Sequence, residues 1–264
     1  MNSVKNEIKE IASSSKTLAL CILLTIFVAL EMVVDLTVSS GTEYMILIDA
    51  LTIVVCVGLW IIYFNAKNDT ELKTKGYTIV KVCYNIKLVI LSICCVLVVL
   101  SCVVCAALSS KVINELQNRE DEIVDFFIDN ESFGGAGVSE DEFKDNFHKL
   151  ITDEDAETAI VVAAVTCAVI FIIIMIFYFL YFAKMIKLLK SIRSNIQGTK
   201  GINTYHSGYL SFVFIVVAIL SGLGALGSLG VGSGYACLVN VVKCAMFVVT
   251  YLIIREYKEE ISRS

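Results

Sequence analysis

The chain has 264 residues, of which 57% are hydrophobic and only 18% charged, with a mean hydropathy of +0.80 and a formal charge of −5. A soluble domain averages about 45–50% apolar and about 25% charged residues, so a water-soluble globular protein is excluded and a polytopic membrane protein is expected. The mild negative charge and the lack of any basic block give no reason to expect a nucleic acid partner.

A helix needs about 20 apolar residues to cross a bilayer core. Runs of that kind lie at 17–38, 44–64, 88–108, 159–183, 209–231 and 235–254. The expected fold class is therefore all-α, a polytopic membrane protein with six transmembrane helices. Three segments follow: 1–108 with the first three spans, 109–157 outside the membrane, and 158–264 with the last three. Sixteen of the 21 Lys and Arg fall before span one, between spans two and three, between spans four and five, or after span six. By the positive-inside rule that side is cytoplasmic and holds both termini. The other side has only Lys111, Arg119, Lys144 and Lys149, and Lys243 lies within a span.

The opening segment places Val4, Ile8 and Ile11 on one helical face beside Lys5 and Lys9, the pattern of an interfacial helix. A basic start before an apolar run also fits a signal peptide, with Val38-Ser39-Ser40 as a cleavage site. The apolar run exceeds the 7–15 residues of a signal, so an uncleaved first span is expected. Within it, Glu31 and Asp35 stand four residues apart on one face. An acid in hydrocarbon costs a few kcal/mol, which makes such residues informative.

At 1.5 Å per residue, Glu31 lies about 10 Å from the outer end of span one and Lys243 about 12 Å from the outer end of span six. Asp49, near the start of span two, is slightly shallower. Glu31, Asp35, Asp49 and Lys243, with Asn240 nearby on the Lys243 helix, form the candidate intramembrane charge cluster. It reads either as an ion or proton path or as a neutralised pair that fixes helix packing. The second is favoured because Asp35 and Asp49 are within reach of the headgroups.

Span two ends in Trp60, Tyr63 and Phe64, an interfacial aromatic belt. Tyr63-Phe64-Asn65-Ala66-Lys67 with Thr74-Lys75-Gly76 is echoed by Tyr181-Phe182-Ala183-Lys184 with Thr199-Lys200-Gly201. Duplication of spans two and three is one reading, and chance recurrence of short juxtamembrane signals the stronger one. The stretch Gly58-Leu59-Trp60 followed by Ala66-Lys67 resembles that of uncharacterised small multi-pass bacterial membrane proteins. This resemblance covers the first two spans and their loop and implies no activity.

The third helix is expected to begin near Tyr77, with Lys81 and Lys87 reaching headgroups. Cys102-Val103-Val104-Cys105 at its outer end suggests a membrane disulfide oxidase, but such enzymes need a further cysteine pair in an exterior loop, and this loop has none. All ten cysteines lie in or beside spans, which excludes a disulfide-stapled exterior domain and suits small buried hydrophobes.

Residues 109–157 carry fifteen carboxylates against four basic side chains. Val112, Ile113, Leu116, Ile123, Val124 and Phe127 recur at helical spacing, as do Phe143, Phe147, Leu150 and Ile151. Ser139 with Glu142 forms a capping box, so an exterior helical hairpin around Phe133-Gly134-Gly135-Ala136-Gly137 is expected. No calcium-loop pattern is present. The acidity therefore reads first as a solvated surface, and next as one for cations or a basic partner. Asn130-Glu131-Ser132 fits a glycosylation acceptor, relevant only to a secretory host.

After span four, Met185, Ile186, Leu188, Leu189, Ile192 and Ile196 oppose Lys184, Lys187, Lys190 and Arg193. This is the candidate membrane-surface basic helix, a juxtamembrane anchor on an anionic leaflet. Span five ends in a glycine-rich run where Gly222, Gly224 and Gly227 match a dinucleotide fingerprint by letter, yet no βαβ unit exists inside a span. Ser221 with Ala225, Gly224 with Ser228, and Gly230 with Gly234 are instead expected to allow close helix contact.

His148 and His206, the two histidines, lie on opposite sides of the membrane, so no zinc pair or serine-histidine couple can be built from them. No catalysis, metal or cofactor is expected. The leading expectation is a non-catalytic membrane protein that binds or scaffolds a membrane or extracytoplasmic protein partner. The alternative is a transporter or channel subunit using the charge cluster.

Overall fold

The computed structural model describes residues 2–37, 43–68, 72–129, 140–153, 155–198, 205, 208–230 and 232–263, with 2–3, 34–37, 43–49, 126–129 and 140–141 described in backbone only. Among these residues there is no strand. The helices are α1 (Asn2–Ser13), α2 (Ser15–Thr37), α3 (Glu43–Asn68), α4 (Lys75–Ala107), α5 (Ser109–Asn118), α6 (Glu120–Asp129), α7 (Glu140–Thr152), α8 (Ala156–Gln197), α9 (Gly208–Gly230) and α10 (Gly234–Arg263). Six of them, α2, α3, α4, α8, α9 and α10, are long and apolar enough to cross a membrane. Helix is the form that satisfies every backbone group within its own segment, as hydrocarbon demands.

The chain divides into two compact units. The first comprises residues 1–90 and 178–264, the second residues 91–177. Both boundaries fall inside long helices, α4 and α8.

In the first unit α9 and α10 form the most extensive helix pair, α10 packs on α2, and α2 packs on α3. The α9–α10 connection is short because Gly232 takes a positive φ of 74°, a conformation natural only to glycine. The Gly232 N–H bonds to the Leu229 carbonyl and the Ser233 N–H to the Ser228 carbonyl at 2.9 Å, which closes the end of α9. An aromatic chain runs across four helices: Tyr84 on α4 lies 6.3 Å from Tyr181 on α8, Tyr181 lies 6.0 Å from Phe214 on α9, and Phe214 lies 5.9 Å from Phe247 on α10.

Two amphipathic segments differ from expectation. Val4, Ile8, Ile11 and Ala12 on α1 are buried, and α1 packs on α3, α10 and α2. Its apolar face covers protein, where an interfacial helix would face lipid. Met185, Leu188, Leu189 and Ile196 join the same core from α8, which continues without a break through the basic run. The apolar side of that run is likewise occupied by protein. A hydrophobic stripe seeks any dry surface, and the neighbouring helices supply one.

In the second unit α5, α6 and α7 pack on one another. The first arm of the expected hairpin is two helices, because Arg119 leaves helical geometry (φ −118°, ψ 23°) between α5 and α6. Ile113, Val124 and Ile151 are buried, and the Gln117 amide donates to the Ile151 carbonyl at 2.7 Å. His148 Nδ1 lies 3.0 Å from Glu120. Phe133–Gly137, Asn130-Glu131-Ser132, Ser139 and His206 are outside the described residues.

Candidate functional site

α2 and α10 run antiparallel and are joined at both ends. At one end Lys16 Nζ is 2.8 Å from Glu256 Oε2. Toward the other end the Tyr235 hydroxyl donates to the Leu30 carbonyl, and Lys243 Nζ lies 3.4 Å from Glu31 Oε1. The same ammonium sits 5.0 Å from the centre of the Phe27 ring, one turn before Glu31. Lys243 thus meets both a carboxylate and the negative face of a ring, presented by one stripe of α2.

The side chains of Lys243 and Glu31 are 35% and 37% exposed, so the pair is neither sealed nor free. A lone charge at the centre of a membrane helix costs about 2.5–3.5 kcal/mol on insertion scales. Mutual neutralisation offsets much of this for both partners.

Of the sequence-derived cluster, the structure brings together Glu31 and Lys243. Asn240 is directed to α9: its Nδ2 lies 3.4 Å from Ser228 Oγ, and a Cβ on Gly224 would stand 3.2 Å from the same nitrogen. The backbone positions of Asp35 and Asp49 are on α2 and α3, and their side chains are outside the described residues. Among the described residues no three His, Cys, Asp or Glu side chains gather as a metal site would require.

The basic helix sits elsewhere in the first unit. Lys187 and Lys190 are exposed, whereas Lys184 and Arg193 are half-buried. Lys187 Nζ lies 4.6 Å above the Tyr205 ring. Ser191 and Asn195 on the inner side of this run are buried, and Asn195 Nδ2 donates to the Tyr257 hydroxyl at 3.3 Å.

Several polar contacts were not anticipated from the sequence. Lys87, expected at the headgroups, donates to Thr52 Oγ1 on α3 at 2.9 Å. Tyr63, expected in an aromatic belt, is buried, and its hydroxyl accepts from Lys67 at 3.2 Å. Thr25 Oγ1 receives the Trp60 indole N–H at 3.0 Å, donates to the Cys21 carbonyl at 2.7 Å and touches Cys56 Sγ at 3.3 Å. Lone Thr and Lys residues in apolar runs signal such contacts, but their partners cannot be read from the run itself.

The fifth-span glycines divide. Ser221 and Ala225 are buried, Gly222 would meet Cys244 Sγ at 3.8 Å, and Gly224 meets Asn240. Among the described residues, nothing lies within 4 Å of a Cβ placed on Gly227, Gly230 or Gly234. The dinucleotide letters lie within α9, with no strand among the described residues.

The fold and this site define an all-α integral membrane protein with six helices able to span the bilayer. Compared with protein-family models, with curated proteins and with solved structures, the chain matches none of them.

Proposed function

We propose that the protein is a non-catalytic integral membrane protein that binds or scaffolds a protein partner. It resides in the cytoplasmic membrane of a bacterium with both termini cytoplasmic. The observation that carries this reading is the direct Glu31–Lys243 contact at 3.4 Å, with the Phe27 ring centre 5.0 Å from the same ammonium. It joins two helices as the Thr25–Trp60, Lys87–Thr52 and Asn240–Ser228 contacts do, so the polar groups within the spans serve cohesion between helices. Partner contact falls to the acidic helices α5–α7, whose small core around Ile113, Val124 and Ile151 leaves most carboxylates turned outward.

A second reading, a transporter or channel subunit, draws on one observation: both members of the pair keep about a third of their surface exposed (35% and 37%). The two readings separate in vesicles. Purified wild type and Glu31→Gln with Lys243→Met are reconstituted, and folded yield and proton or cation flux are followed. The scaffold reading expects no flux above empty vesicles from either, with the double variant still folded. Flux in wild type that disappears in a folded double variant would transfer the proposal to transport.

A further inference from the structure

In the second unit α7 is attached to its neighbours in three ways. Ile151 of α7 is buried with Ile113 of α5 and Val124 of α6. The Gln117 amide of α5 donates to the Ile151 carbonyl at 2.7 Å. His148 Nδ1 of α7 stands 3.0 Å from each carboxylate oxygen of Glu120, the first residue of α6. Few buried apolar contacts place a segment at the low-stability end of a protein, so the two polar links matter here. Only the His148–Glu120 link can change its charge near neutral pH.

The charges around this pair leave it to itself. Arg119, between α5 and α6, is taken by Glu122, and Lys149 of α7 by Asp145. Lys111 and Glu115 of α5, Asp121 and Asp125 of α6, and Glu142 and Lys144 of α7 are exposed. Among the described residues, His148 is the one side chain able to carry positive charge within ion-pair distance of Glu120. Glu120 is also the more shielded carboxylate, its side chain 26% exposed against 66% for Glu122 and 64% for Asp145.

An unperturbed histidine gains its charge at about pH 6.5, and an unperturbed glutamate loses its charge at about pH 4.3. Within that window an imidazolium N–H meets a carboxylate, a bond roughly twice as strong as its neutral counterpart. The position of Glu120 in the first turn of α6 favours its anionic form, because the helix dipole is positive there. By linkage, what the charged pair adds to docking is present in mild acid and is lost as pH rises through the histidine range. It is lost again when the carboxylate itself takes up a proton.

We propose that His148 and Glu120 form a pH-responsive clasp, firm in mild acid and weak at alkaline pH, that sets how tightly α7 docks on α6. The Gln117 link and the small core carry no titrating group and do not respond. The helices assigned to partner contact are then best ordered in mild acid; this consequence rests on the scaffold reading, and the clasp does not.

Hydrogen exchange of the full chain in detergent, at about pH 5.5 and about pH 8, tests the clasp across the histidine range. Protection of the α7 amides, taken relative to their intrinsic rates, should be about two to five times higher in acid, the scale of an exposed ion pair. In His148→Gln and in Glu120→Gln the two values should agree within about 1.3-fold, and His148→Lys, cationic at both pH values, should keep the higher protection at both. Unchanged protection in α9 and α10 reports that each variant is folded. Wild type gives a second reading without substitution: about 0.5 M sodium chloride should remove at least half of the acid gain by screening. Equal protection of wild type at the two pH values, an acid gain that persists in folded His148→Gln, or one indifferent to salt would each overturn the proposal. No partner is present, so the result bears on the clasp separately from the scaffold reading.

Discussion

A Cβ built on Gly76 would stand 2.7 Å from the carbonyl oxygen of Gly58, so α3 and α4 cross backbone against backbone at these two residues. Such an approach is open only to residues without a side chain, and it brings Ile62 and Val80 into the same contact.

Gly76→Ala should therefore destabilise the protein by about 1–3 kcal/mol, the usual cost of overpacking, because its Cβ meets main-chain atoms that cannot turn away. Gly58→Ala should cost less, since its nearest neighbour is Cγ2 of Val80, at 2.7 Å, the end of a side chain. Gly227→Ala, with no described atom within 4 Å, should be neutral or slightly stabilising. Thermal unfolding of the three variants in one detergent measures this order.

Removing one partner of the Glu31–Lys243 pair leaves the other charge without compensation. Glu31→Gln and Lys243→Met should each cost about 1–3 kcal/mol, scaled down from a buried pair by the partial exposure of both side chains. The double variant should be more stable than the worse single. Lys243→Glu should reduce accumulation in the membrane, and Glu31→Lys in the same chain should partly restore it. A reversed pair no better than the worse single would show that the contact does not govern assembly.

Depth counting along the sequence sets Glu31 and Lys243 at nearly one level, and the six spans follow from run length alone. Other features had no such signal. The stripes on α1 and on the basic end of α8 are legible as amphipathic, but a stripe does not say whether lipid or protein will cover it. Gly58 and Gly76 each belong to a short juxtamembrane stretch that carries no sign of close packing, whereas the crowded glycines ending α9 suggest close contact although, among the described residues, nothing lies within 4 Å of a Cβ at Gly227 or Gly230. Helical periodicity ran through Arg119 unbroken, which concealed the division of α5 from α6.

Thr25→Val keeps the shape of the side chain but removes the acceptor for the Trp60 indole N–H. The cost should be about 1 kcal/mol. Because the chain has one tryptophan, the emission of the folded protein should move to shorter wavelength, a change that Thr52→Val should not produce.

In the second unit, Arg119 Nη2 and Nε lie 2.7 and 2.8 Å from the two oxygens of Glu122. The hydrogen bonds and charge of the guanidinium hold the Glu122 carboxyl below its ordinary range. A depressed carboxylate stabilises the fold above its unfolded-state value, and that contribution is lost as pH falls through the folded-state value. Protection of the amides in the first turn of α6, taken relative to their intrinsic exchange rates, should therefore fall as pH drops below the ordinary carboxylate range. Arg119→Gln should return the Glu122 titration, followed by carboxyl NMR, to that ordinary range.

The clasp between α2 and α10 also has an order in time. α2 leaves the ribosome long before α10, so Glu31 is made and lodged in the membrane while Lys243 does not yet exist. Until α10 arrives, the young chain carries an acid whose cationic partner has not been made. Lys243 arrives only with α10, which follows α9 across the tight turn at Gly232. Chains truncated before α10 should thus be the substrates that membrane quality-control proteases remove first.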